Sequence, residues 1–177
     1  IQVHVNSWGG HFVDPEDATR SWIARPEALT AMEWLRARMW DDRLMANKLD
    51  VENAHPRDAF IRQNLAMLEE GSWALKDILE QATFRVGVVP FPAGPIRRVT
   101  LATTDGFAIY AGTRQPEAAW ELAKFLVSPD YGRAMAKAQL LQPARASLVN
   151  EWIDFVREQY PSQAKEIDIA AFAEGHI

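Results

Sequence analysis

Cysteine is absent from all 177 residues, which excludes disulfides, thiolate metal sites and cysteine nucleophiles. No stretch approaches the roughly 18 apolar residues a membrane-spanning helix needs, and the chain carries no recognisable signal peptide. Basic charge is also short. Nineteen Lys and Arg stand against 24 Asp and Glu, for a net charge of −5 and a pI near 5.4. That balance leaves no basic footprint for nucleic acid, and the densest basic pair, Arg97-Arg98, reads as solvated surface. No internal repeat or low-complexity segment is present.

Catalytic patterns are missing too. His4, His11, His55 and His176 are widely separated and form no metal-ligand spacing. There is no Gly-x-Ser-x-Gly elbow, P-loop or dinucleotide fingerprint. Adjacent acids such as Asp41-Asp42 and Glu69-Glu70 diverge by about 100° on a helix, so they give no support to a pair of carboxylates facing across a cleft, as a glycosidase requires. No metal, cofactor or enzymatic activity is expected.

What is present fits a folded domain. The composition is 48% apolar and 24% charged, that of a globular protein. A chain of this length buries about 68–70% of the surface its unfolded form exposes. Helix signals dominate. Pro26 suits the first position of a helix that runs to about Trp40, with Leu29, Met32, Leu35 and Met39 as its buried stripe. His55-Pro56 opens a second helix, predicted to run to Gly71. A third starts at Pro116, with Ala119, Leu122, Ala123 and Leu126 on one face. Ser128-Pro129-Asp130 then offers a serine N-cap, a proline at N1 and an acid that favours the helix dipole. A fifth helix carries Leu148, Trp152, Phe155 and Val156 and ends before Pro161.

Strands are predicted at Phe84–Val88 and Phe107–Ile109, and the alternation in Ile1–Val5 is also strand-like. Between the first two, Pro90, Pro92 and Pro95 stiffen a connecting segment. From pattern alone, these elements also fit a single α/β domain with a proline-rich surface loop.

The stretch from Phe60 to Trp73 is the most informative for function. Ile61, Leu65 and Leu68 fall at helical spacing, and Gly71 suits the αL position that ends a helix. Trp73 would then sit on a loop with a rigid support behind it, where binding residues concentrate. An aromatic face there suits the apolar C–H face of a sugar; the competing reading is a tryptophan that caps the core. Trp8 stands beside Gly9 and Gly10, whose lack of side chains lets backbone approach a ligand, or else forms a simple turn. Asp105 before Gly106 is an acceptor-only group suited to two adjacent hydroxyls, with Thr103 and Thr104 beside it, or else an Asp-Gly turn. Arg145 supplies fixed donors or a surface ion pair, and His11 is a further candidate. Trp22, Trp34, Trp40, Trp120 and Trp152 are assigned to packing.

These segments, taken in order, resemble a family. Asn6-Ser7-Trp8-Gly9-Gly10 followed by the helix at Pro26, the Phe60–Trp73 stretch, Phe84–Pro92, Thr103–Ile109, Pro116–Pro129 and Gln142-Pro143-Ala144-Arg145 are similar to the extracellular solute-binding proteins of sugar-type ABC importers, the maltose-binding-protein-like class. The resemblance implies a helix-rich α/β fold of the two-lobed periplasmic-binding-protein type, class II-like and incomplete in this chain, which reads as an internal or C-terminal portion. Residues 1–87 and 142–177 would form most of one lobe, and 88–141 a strand–helix segment of the other. The implied function is non-catalytic capture of a sugar or polyol for an importer's membrane subunits. Trp73, Trp8, Gly9, Gly10, Asp105, Thr104 and Arg145 would be the ligand-binding residues. The implied location is periplasmic or extracellular, lipid-anchored in a Gram-positive host, and self-association of the isolated chain is expected. A carbohydrate-active hydrolase and a structural or interaction module without ligand are the rival classes.

Overall fold

A computed structural model of the chain describes residues 1–52, 54–103 and 105–162. Its elements are helical: α1 (Gln2–Ser7), α2 (Pro26–Arg36), α3 (Pro56–Ile61), α4 (Leu75–Gln81), α5 (Pro116–Leu126), α6 (Pro129–Gln139) and α7 (Val149–Gln159). A π-turn at Ala37–Asp41 extends α2, and short 3₁₀ turns, Ser72–Ala74 and Ala146–Leu148, lead into α4 and α7.

The chain divides into two packing units. One comprises Ile1–Glu69 with Pro90–Ala102; the other comprises Glu70–Val89 with the chain from Thr103. The helix at Val149–Gln159 packs in the unit that begins at Glu70.

In the first unit, α1 lies on α2. Val5, Ala28 and Ala31 are fully buried, with Trp8, Ile23 and Met32 packed around them. The expected strand at Ile1–Val5 is therefore a helix: β-branched preference is weak, and burying Val5 against α2 outweighs it. Small residues make this contact close. A Cβ on Gly10 would come within 2.9 Å of the Ala28 backbone. The stripe of α2 that is buried is accordingly Ala28, Ala31 and Leu35, while Leu29, expected inside, is 46% exposed. The segment from Pro90 docks on the end of α1: the Ile96 and Arg97 amides donate to the Ser7 carbonyl at 3.2 and 3.3 Å, and Arg97 Nε donates to the Asn6 carbonyl at 3.0 Å. Carbonyls at a helix C-terminus have no amide partner inside the helix; the Ser7 carbonyl is met by this segment, and that of Asn6 is shared with the Gly9 amide.

Helix α3 stops at Ile61, well short of Gly71. Gln63 takes the left-handed conformation (φ 65°), its amide donates to Phe60 O, and the Asn64 amide donates to Ala59 O, both at 2.9 Å. That is the Schellman pattern that closes a helix, here built on a glutamine rather than on glycine. Gly71 is extended (φ −85°, ψ 163°) and precedes the Ser72–Ala74 turn, so Trp73 opens a helix instead of following one.

The second unit is organised by the C-terminal end of α6. The last carbonyls of a helix have no partner within it, and here side chains from two other helices supply donors. Gln159 Nε2 reaches Lys137 O at 2.8 Å, Lys76 Nζ reaches Ala138 O at 2.8 Å, and Trp152 Nε1 reaches Leu140 O at 2.9 Å. Leu140, Trp152 and Val156 are fully buried beside them. On the exposed side, Arg133 joins α6 to Glu151 of α7 at 2.6 Å and also meets Asp130 at 3.2 Å. Ser128 caps α6 as expected, its Oγ accepting from the Tyr131 amide at 3.3 Å.

Helices outnumber strands, and of the expected strands Phe84–Val88 and Phe107–Ile109 only Val88 takes part in a β-bridge, with no ladder among the described residues. A strand exists only with a neighbour to hydrogen-bond, and apolar content supplies none. Val13 and Ser21 form an isolated antiparallel bridge. Helix α5 buries no residue: Leu122 is 57% exposed, and Trp120 and Trp40, both assigned to packing, are 58% and 56% exposed.

Candidate ligand-binding residues

The first unit gathers rings from three segments. Trp8, just past α1, lies 5.1 Å from Trp34 of α2, and His4 of α1 stacks on the same Trp34 ring at 5.9 Å. Phe91 meets His4 edge to face at 5.3 Å, and the Arg38 guanidinium stands 5.4 Å from the Trp34 ring centre. Arg38 also pairs with Asp42. Trp34, His4 and Phe91 were not among the candidates, since they are brought together by the packing of α1 on α2 and by the docking of a segment nearly ninety residues away.

Gly9 and Gly10 hold less open backbone than expected. The Gly9 amide donates to Asn6 O at 3.1 Å and the Gly10 amide to Val5 O at 3.0 Å, so both N–H groups are engaged in ending α1. Trp8 is half-buried on the same turn, and His11 is half-buried beside it.

His4 is 5% exposed and its Nε2 lies 3.2 Å from Glu69 Oε1. Burial holds its imidazole below the ordinary histidine range, and Glu69 pulls in the opposite direction.

In the second unit, Trp73 is 52% exposed. Its ring folds back over Gly71, where any side chain would collide with it. The supporting turn is anchored by Ala74 and Leu75, both buried. An exposed ring on a fixed turn is suited to stacking on a ligand. Asp105 is exposed, and among the described residues nothing lies within 4 Å of where a Gly106 side chain would start. Arg145 is committed to the protein: its Nε and Nη2 both donate to the Val127 carbonyl, at 3.1 and 2.7 Å, closing the end of α5. Thr104 lies outside the described residues. The structure thus groups Trp8, Gly9 and Gly10 on one turn of the first unit and places Trp73, Asp105 and Arg145 on separate segments of the second.

Among the described residues no group of three or more His, Asp and Glu is placed to hold a metal ion. No helix among them is long and apolar enough to cross a membrane.

Comparison with known proteins bears on the whole. Residues 4–133 match the family model of the bacterial extracellular solute-binding protein. No curated protein matches the chain. Among solved structures, it is similar to the ABC substrate-binding protein Lmo0181 from Listeria monocytogenes, solved in complex with cycloalternan, with a TM-score of 0.79 and 20% sequence identity. The likeness covers 98% of this chain and 43% of that one, so the chain spans less than half the length of its relative. At this identity the likeness establishes the fold, that of a substrate-binding protein.

Proposed function

We propose that this chain, which belongs to the bacterial extracellular solute-binding protein family, is part of a non-catalytic receptor that captures a sugar or polyol for an ABC importer. The family match over residues 4–133 carries the reading. The solved relative is an ABC substrate-binding protein bound to cycloalternan, which favours a carbohydrate as the solute. In this reading the complete protein has two lobes of the class II type that close around the ligand by hinge motion, and the packing units are their local cores. The receptor works outside the cytoplasm, in the periplasm or at the cell surface on a lipid anchor, and hands its solute to the importer's membrane subunits.

Trp73 is the residue we assign first to the ligand. It is half-exposed, rigidly backed and apolar, and stacking on a flat ring needs those properties. Trp8 and Asp105 follow, the former as a second aromatic face and the latter as an acceptor for hydroxyls, with Thr104 beside it. The Gly9-Gly10 turn supports Trp8. Arg145 contributes by fixing the end of α5, or through the donors that Val127 does not use. The isolated chain self-associates through the exposed apolar face of α5.

Calorimetry of the full-length protein against a panel of sugars and polyols tests the function. Saturable binding without chemical change is expected. Release of product from a glycoside would replace the receptor by a hydrolase, and heatless titrations across the panel would remove the sugar assignment.

A further inference from the structure

The chain leaves the first packing unit after Glu69 and re-enters it at Pro90. One side chain touches a first-unit residue at each of these passages. His4 Nε2 is 3.2 Å from Glu69 Oε1, and the His4 ring meets Phe91 edge to face at 5.3 Å. Stacking on Trp34 at 5.9 Å ties the same ring to α2, which with α1 forms the core of the unit. The imidazole therefore couples the core to both points at which the chain passes to the other unit and back.

The proton on this ring has one place to be. Glu69 is an acceptor, so Nε2 carries the hydrogen and Nδ1 is left with a lone pair. Nδ1 is buried and has no hydrogen-bond partner among the described residues. A buried lone pair already carries a desolvation cost, and a second N–H there would add a charged, desolvated donor with no acceptor, which costs more. The other charges around the ring do not supply one. From α2 comes uncharged Trp34, with Arg38 over its ring and paired to Asp42. From the segment after Pro90 comes Phe91, and Arg97 is turned to the Asn6 carbonyl. Among the described residues, Glu69 is the group that favours the charged form.

The geometry points to His4 as a positioning residue that clamps both passages between the packing units while its ring is neutral and releases them when a second proton, on buried Nδ1 with no acceptor, drives the ring out of its place between Trp34 and Phe91. This clamp is independent of which solute the protein binds. The folded chain binds the proton on His4 less readily than the unfolded chain does. The stabilisation is therefore complete above about pH 6.5, the ordinary histidine value, and declines as pH falls toward the lowered folded value.

Backbone ¹⁵N relaxation of this chain, recorded from about pH 7.5 down to about pH 5 without ligand, tests the clamp. The amides of residues 68–71 and of 91, 93 and 94 should pass from rigid order parameters near 0.85 toward about 0.6, with the midpoint of the His4 ring resonances, while α6 stays rigid. His4→Phe keeps the ring contacts and removes the titration, so this transition should vanish. Glu69→Gln, at an exposed position, should loosen 68–71 and leave 91–94 unchanged; it carries the test if His4→Phe does not fold. A transition that persists in His4→Phe would overturn the clamp. So would equal loosening of α6, or a Glu69→Gln effect that is absent at 68–71 or equal at both passages.

Discussion

Trp152 is fully buried and its indole N–H donates to the Leu140 carbonyl at 2.9 Å, whereas Trp73 keeps 52% of its surface open. The same residue type therefore answers to different physics at the two positions. Trp152→Phe keeps most of the apolar volume but strands the carbonyl of a buried residue, and an unsatisfied buried acceptor costs about 1–3 kcal/mol. Urea unfolding should show that loss; a change within experimental error would mean that water or another donor replaces the indole. Trp73→Ala removes an exposed ring, so the melting temperature should hardly move. Solute binding by the full-length protein should weaken by about 1–3 kcal/mol, taking base–aromatic stacking as the guide. Unchanged affinity together with a large drop in melting temperature would make Trp73 a packing residue.

At the scale of elements, helix starts were readable and helix stops less so. Pro26, Pro56, Pro116 and Pro129 each open a helix where the sequence places one, because a proline at N1 and a preceding cap act within a few residues. Ser128→Ala should cost about 0.5–2 kcal/mol, the usual worth of a serine N-cap, measured by urea unfolding. An unaltered midpoint would show that the bond to the Tyr131 amide contributes nothing net. The end of α3 was not readable, since Gln63 in the left-handed region is an uncommon choice, while Gly71 downstream looked like the natural stop. The 3₁₀ turn and α4 beyond it were missed as a consequence. The binding candidates fared similarly. Trp73 was visible as an aromatic beside a glycine, but that Gly71 gives way to its ring, and that Arg145 is drawn to the Val127 carbonyl, follows from distances no spacing rule encodes.

For the whole molecule, the unburied apolar surface of the second unit is the dominant feature. Trp120, Leu122, Phe125 and Val127 are 54–58% exposed on and just after α5, and Phe107 and Tyr110 are 53% and 79% exposed. Phe107 and Phe125 both pack on Tyr131, at 6.1 and 5.8 Å, so several of these rings form one surface. Contiguous apolar surface of this kind drives association, and a net charge of −5 opposes it only weakly at physiological salt, where screening acts within about 8 Å. Light scattering of the isolated chain should therefore show a mass that rises with concentration. A monodisperse monomer across the range would show that the face is stable in water, and self-association would be withdrawn.

The sequence by itself determined the elements whose instructions are local: the proline-led helix starts, the serine cap of α6 and the amphipathic face of α7. It also carried the order of motifs that resembles the solute-binding family. Tertiary structure alone decided that Ile1–Val5 coils rather than extends, because Val5 gains more by meeting Ala28 and Ala31 than a β-branched residue loses in a helix. It likewise decided that α3 ends at a glutamine, that Phe84–Val88 and Phe107–Ile109 build no ladder among the described residues, and that His4, Trp34 and Phe91 share one cluster. Each of these depends on which distant segment supplies the partner, and a partner's identity is a property of the folded chain, not of the few residues that a local pattern spans.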